Sequence, residues 1–214
     1  MDTPLIQVRN LMKEFEVGGG FLKKSKKLRA VNDISFDVMP GETLCLVGES
    51  GCGKSTLGRC ILQLIKATSG EVIYDGKNLR ELSEDAMRPY RKDLQMIFQD
   101  PYASLNPRMT VREIIGAPLD SFHLVSTAEE RERKITEICK IIGISEEWLD
   151  KYPHEFSGGQ RQRIVIARAL VMNPKFVVCD EPVSALDVSI RSQVLNLMKD
   201  IQKEYGFSYL FPTI

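Results

Sequence analysis

The chain has 214 residues, 43% of them hydrophobic, enough for one large domain or two small ones with a sizeable core. Lys and Arg number 29, as do Asp and Glu, so no net charge draws it to nucleic acid or acidic lipid, and no nucleic-acid partner is expected. No apolar run of about 18 residues offers a membrane span, the opening "MDTPLIQVRN" is not a signal peptide, and five cysteines without CxxC spacing read as free thiols in a reducing compartment, so a soluble, cytoplasmic chain is expected.

In chain order, "LIQVRNL", "VNDISFDV" and "ETLCLVG" read as three short β-strands. Between the first two, "GGGFLKKSKKLR" reads as a flexible, solvated loop, with a lipid-headgroup or partner patch as the alternative. "EVIYDGK" predicts a strand closing on an Asp75-Gly76 turn, and "LQMIFQD" a further strand. From about Tyr102 to Pro153 the texture becomes helical, with Ile135, Ile138 and Ile142 at helical spacing and Gly143 as the stop. A long helix follows in "GGQRQRIVIARALVM", halted by Asn173-Pro174, then the apolar strand "FVVCD". An amphipathic helix with Ile190, Val194, Leu197 and Ile201 leads to a last strand, "SYLFPTI". Apolar strands alternating with helices predict an α/β fold with a parallel, mostly buried sheet, interrupted by a helical insert.

Three stretches carry chemistry. "GESGCGKST", Gly48 to Thr56, fits G-x-x-x-x-G-K-[ST] after a strand and at the start of a helix carrying Leu57, Ile61 and Leu64. Backbone N–H groups around Gly48, Ser50, Gly51, Cys52 and Gly53 then curl toward a phosphate, and the helix N-terminus adds partial positive charge. Lys54 neutralises the β- and γ-phosphates, Ser55 offers its hydroxyl to Mg²⁺, and Thr56 completes the loop. "FVVCDEP" places Asp180 and Glu181 at the carboxyl end of a buried strand, where α/β folds bind ligands. Asp180 suits Mg²⁺, through water, and Glu181 suits polarisation of an attacking water. In "FSGGQRQR", Ser157 and Gln160 form an S-x-x-Q capping box, so the stretch reads at least as a capped helix start. Gly158 and Gly159 are poor helix formers there, a cost explained if a ligand approaches the backbone closely. Two such phosphate-binding helix starts predict a dimer in which each completes the other subunit's site.

With "GESGCGKST", Gln99 in "MIFQDP", "FSGGQRQR", "FVVCDEP" and "SALD" in this order, the whole chain resembles the ATP-binding cassette ATPases; "FSGGQ" departs mildly from their usual Leu-Ser-Gly-Gly-Gln. "QDPYASLNPRMTV" and "GGGFLKKSKKLRAVNDISF" look most like the oligopeptide and dipeptide importer ATPases, a group that includes nickel importers. The resemblance implies a P-loop NTPase (RecA-like) core with an N-terminal antiparallel β subdomain and an inserted helical subdomain. Its divisions would be residues 1–99, 100–159 and 160–214. It implies ATP and Mg²⁺ as cofactors, a homodimer or a heterodimer with a related ATPase subunit, transmembrane permease partners, and a place on the inner face of the cell membrane. By the same resemblance Phe15 stacks on adenine and Gln99 touches Mg²⁺ or the attacking water. Ser157 and Gly159 contact the γ-phosphate of the opposite subunit, and Asp187 lines the dimer interface. A core role for Phe15 and a non-transport ATPase are the alternatives. Family members continue after the "SYLF" strand into Thr-His-Asp, whose His contacts the γ-phosphate. Here the chain reads "FPTI", and its histidines, His123 and His154, lie upstream, so a shortened chain with impaired hydrolysis is expected.

Overall fold

A computed structural model describes residues 3–18, 26–182 and 188–213. The chain forms two compact units, one from the residues up to Arg91 with those from Ser208 on, the other from Lys92 to Phe207.

The first unit is built on an antiparallel sheet. β1 (Ile6–Val17) pairs with β2 (Lys26–Val38) on one side and β4 (Ser69–Tyr74) on the other, and β4 turns through Asp75-Gly76 into β5 (Lys77–Asn78). Both turn residues have positive φ, 50° and 71°, which suits a tight hairpin and bears out the turn expected from sequence. Ile6 and Val8 alternate inward on β1 and are fully buried, as a sheet with one covered face requires. Both long strands run further than the sequence runs implied. Register from Glu14↔Arg29 to Val17↔Lys26 extends the hairpin, and Lys26–Arg29, read as loop, belong to β2. Ion pairs from Glu14 to Arg29 and Lys27 take the place of buried side chains there. The rest of that predicted loop, residues 19–25, lies outside the described residues. The same unit holds a parallel pair, β3 (Thr43–Val47) with β8 (Ser208–Thr213), in register Thr43↔Tyr209 through Val47↔Thr213. α1 (Lys54–Ile61) follows β3; it stops short of Leu64, which is 45% exposed rather than part of the helix's apolar stripe. A short helix, α2 (Glu84–Met87), capped by Ser83, closes this part of the chain.

The second unit opens with β6 (Leu94–Ile97) and the one-turn α3 (Pro101–Ser104). α4 (Val111–Ser121), α5 (Ala128–Ile142) and α6 (Gly158–Leu170) follow. Ile114, Ile115 and Leu119 of α4 and Ile135, Ile138 and Ile142 of α5 are buried, as their spacing predicts. β7 (Phe176–Cys179) is buried at all four positions and pairs in parallel with β6. Such a strand, covered on both faces, reads as an unbroken apolar run. α7 (Val188–Tyr205) buries Val194, Met198 and Ile201; Leu197, expected on that face, is only half-buried, and Met198 takes its place. Among the described residues no helix is long and apolar enough to cross a membrane.

Candidate functional site

In the first unit the loop between β3 and α1 is shaped by one close approach. Gly53, at φ 92°, is the residue before α1, and a methyl group on it would lie 1.9 Å from the carbonyl oxygen of Ala30 on β2. Only glycine meets both demands. α1 therefore starts without a side-chain cap and without an acidic residue in its first turn, leaving its positive end to a ligand anion. Lys54 is largely buried, and its Nζ donates to the carbonyl oxygens of Gly48 at 2.8 Å and Glu49 at 3.0 Å. The ammonium thus staples the loop that it follows. Ser50, Gly51 and Cys52 lie on its exposed outer side, with a Cys52 N–H to Glu49 carbonyl bond of 3.3 Å closing the turn. Phe15, on β1 of the same unit, is half-buried, faces Leu28 across the hairpin, and has Lys13 Nζ 4.8 Å from its ring centre.

In the second unit strand register does the positioning. Ile97 of β6 stands opposite Cys179 of β7, and the Asp180 N–H donates to the Ile97 carbonyl at 2.9 Å. Two residues beyond each strand end, Gln99 and Glu181 come together: Gln99 Nε2 donates to Glu181 Oε2 at 2.9 Å. Glu181 holds φ 45°, a conformation that costs a non-glycine residue about 1–3 kcal/mol and clusters at functional sites. Asp180 is 1% exposed. Burial lifts the Cys179 thiol well above its ordinary pKa, which marks this strand end as dry.

The start of α6 forms as its sequence predicts. Ser157 Oγ accepts from the Gln160 N–H at 3.4 Å, and Gln160 Oε1 accepts from the Ser157 N–H at 2.9 Å, a reciprocal capping box. Ser157 and Gly158 are exposed. Gly159 is not. A methyl group on it would sit 2.7 Å from Ile190 Cγ2 of α7, so helix packing already accounts for that glycine. The Trp148 and Phe156 rings pack tilted at 49° with centroids 5.2 Å apart, which fixes the residue that precedes the cap. Asp187 lies outside the described residues.

Two arginines of α6 went unnoticed in the sequence. Arg161 lies over the Tyr102 ring at 5.1 Å and donates from Nε to the Pro153 carbonyl at 2.9 Å, and Arg168 donates to the Ser104 carbonyl. Their seven-residue spacing puts both on one helix face and was the available signal.

Comparison with known proteins identifies the family. The model of the ABC transporter family matches residues 31–184. The chain is 52% identical over 212 residues to the oligopeptide transport ATP-binding protein OppF of Bacillus subtilis (strain 168), covering 99% of this chain and 68% of that protein. It is 50% identical to the dipeptide transport ATP-binding protein DppF of Lactococcus lactis subsp. cremoris, over 97% of this chain and 65% of that one. The chain thus spans about two thirds of the length of these relatives, and 33% of the glutathione import ATP-binding protein GsiA of Pectobacterium atrosepticum, to which it is 50% identical. Among solved structures, the ATP-binding cassette MJ0796, dimeric in a post-hydrolysis state bound to ADP and Pi, superposes with a TM-score of 0.85 at 30% identity, over 97% of this chain and 87% of that one. The α/β fold with antiparallel and parallel strands is that of a P-loop NTPase, and this chain belongs to the ABC transporter family.

Proposed function

We propose that this chain is the ATP-binding and ATP-hydrolysing subunit of an importer whose solutes are peptides, working as a dimer with itself or a related ATPase subunit. On this reading it sits at the inner face of the membrane against transmembrane permease subunits, which residues 99–109 and the helical subdomain, 100–159, contact. Residues 1–99 and 160–214 supply the β subdomain and the two parts of the nucleotide-binding core. Half-identity to proteins named for oligopeptide and dipeptide transport supports the solute class. The hydrogen bond between Gln99 and Glu181, at the end of a parallel strand pair and beside buried Asp180, carries the hydrolytic part.

In the first unit the loop N–H groups receive the β-phosphate. Lys54 exchanges two carbonyl oxygens for phosphate oxygens, with the Ser50–Thr56 backbone and the α1 N-terminus aligned behind it. Phe15 offers its ring face to adenine. Oxygen donors of the kind a hard cation takes are present in each unit by itself: the Ser55 hydroxyl in the first, and in the second the Asp180 carboxylate and the amide oxygen of Gln99, whose nitrogen is turned to Glu181. Such oxygens would hold Mg²⁺, which when bound would supply neutralising charge to the phosphates. Glu181, held by Gln99, accepts a proton from the attacking water as it adds to the γ-phosphorus and ADP leaves. Ser157, Gly158, Gly159 and Gln160 of one subunit close on the γ-phosphate held by the other, with Asp187 at the same interface. Loss of that phosphate removes the contact that holds the pair closed.

Nucleotide binding by fluorescence titration and phosphate release, in the full chain and in Lys54→Ala and Glu181→Gln, test the reading. Lys54→Ala is expected to weaken ATP binding and Glu181→Gln to preserve it while abolishing turnover. Unchanged ATP affinity in the first, or undiminished turnover in the second, removes that residue from its role. Peptide uptake in cells lacking the chain tests the solute class, and uptake unaffected by its loss excludes peptides.

A further inference from the structure

α3 has a single turn and cannot hold itself, because one hydrogen bond does not offset the fixing of its backbone. It begins two residues after Gln99, the partner of Glu181: Gln99, Asp100 as cap, then Pro101. Three side chains fix it. Asp100 Oδ1 accepts from the N–H groups of Tyr102 at 2.8 Å and Ala103 at 3.2 Å. Arg168 of α6 donates to the carbonyl of Ser104 at its far end. At its near end Arg161, on the same face of α6, lies against the Tyr102 ring.

Arg161 makes a second contact with the edge of the same planar group. Its Nε donates to the carbonyl of Pro153, in the turn that leads into Phe156 and the Ser157 cap. A guanidinium can stack with its face and donate with its edge at once, which a lysine ammonium cannot. Tyr102 is 62% exposed, so core packing does not explain the ring's place against this cation. The contacts run in one line: Glu181 to Gln99, the capped turn to Tyr102, Tyr102 to Arg161, and Arg161 to the segment entering α6.

We propose that Arg161 is a positioning residue that locks the Gln99 segment to the start of α6, so that the water-orienting end of one subunit's site and the helix start offered to its partner move as one piece. This rests on the dimer reading above. Arg161 touches no nucleotide; it acts through Tyr102 and the Pro153 turn. Grip of the γ-phosphate by Ser157 is thereby passed to Gln99 and Glu181 of the same chain, which belong to the other nucleotide of the pair.

MgATP-dependent pairing of the full chain, measured by sedimentation in a Glu181→Gln background, tests it; the amide retains an oxygen to accept from Gln99. Arg161→Met and Tyr102→Leu are each expected to weaken pairing by about 2- to 5-fold, the size of an exposed cation–π contact. Together they should weaken it no more than either alone, because they break one link. Tyr102→Phe, which keeps the ring, should restore parental pairing. ATP affinity of the dilute, unpaired chain should be unchanged in all of them. Equal pairing in the parent and Arg161→Met, or fully additive effects, or a matching loss of ATP affinity in the unpaired chain, overturns the inference alone. If Arg161→Met does not fold, Tyr102→Leu and Tyr102→Phe decide by the same criteria. A parent that shows no MgATP-dependent pairing overturns the dimer reading itself.

Discussion

Lys54 answers two backbone carbonyls with one ammonium, so a single residue serves both the shape of the loop and its charge. On the proposed function, Lys54→Ala removes the cation that a triphosphate would draw away from those carbonyls. ATP affinity should fall by about 10- to 100-fold, the range of a charge-assisted hydrogen bond, in a titration with a fluorescent nucleotide. Gly53→Ala should do more. Its φ of 92° alone costs an alanine about 1–3 kcal/mol, and the added methyl group meets the Ala30 carbonyl at 1.9 Å. A thermal melt should therefore show a loss of several degrees together with lost nucleotide binding, and a smaller loss for Lys54→Ala, which removes the two hydrogen bonds that staple the loop. The thiols divide as sharply. Cys45 and Cys52 are exposed and Cys60, Cys139 and Cys179 are buried, so a thiol reagent should modify two cysteines quickly in the native chain and five after denaturation. Bound MgATP should slow the reaction at Cys52, which sits within the phosphate loop.

At the scale of elements, α5 shows how a buried helix face couples to pH. Burial against its neighbours raises the Cys139 thiol to about 11. The folded chain therefore holds this proton more tightly than the unfolded chain, whose thiol titrates near its ordinary value of about 8.5. The stabilisation is fully present below that value and is lost as pH rises through about 11. Denaturant midpoints should decline across that window, and Cys139→Ala should flatten the decline, offset by the cavity it leaves. The start of α6 makes the complementary point. Its capping box is a local device, and Ser157→Ala should cost about 0.5–2 kcal/mol of stability whether or not ATP is present. A further loss of MgATP-dependent pairing in that variant, beyond what a capping defect explains, separates the ligand role of the hydroxyl from its structural one.

For the whole molecule the expected behaviour is a cycle of pairing and release. Glu181→Gln should bind MgATP, fail to turn it over, and accumulate as a species of twice the mass in light scattering; a monomer at saturating MgATP would remove the proposed closure. Much of this site was legible in the sequence because its chemistry is local. The phosphate loop, the strand-end carboxylates and the S-x-x-Q box each depend on a few consecutive residues, and the elements around them follow from periodicity and capping. Less was legible where partners are distant in the chain. Gly159 reads as a glycine spared for a ligand, and the methyl group it lacks would also meet Ile190, a second reason that no sequence pattern shows. Leu64 and Leu197 fit a helical period that the packed helices do not follow. Sequence by itself determined the glycine-rich loop ahead of α1, the carboxylates at the end of β7 and the capped start of α6, since backbone curvature and capping act over a single turn. Only the tertiary structure decided that Gln99 holds Glu181, that Ala30 forbids a side chain at residue 53, and that Arg161 bridges Tyr102 and Pro153. Those contacts join residues that strand register and helix packing bring within a few ångströms across as many as 82 positions of chain, a distance no local pattern encodes.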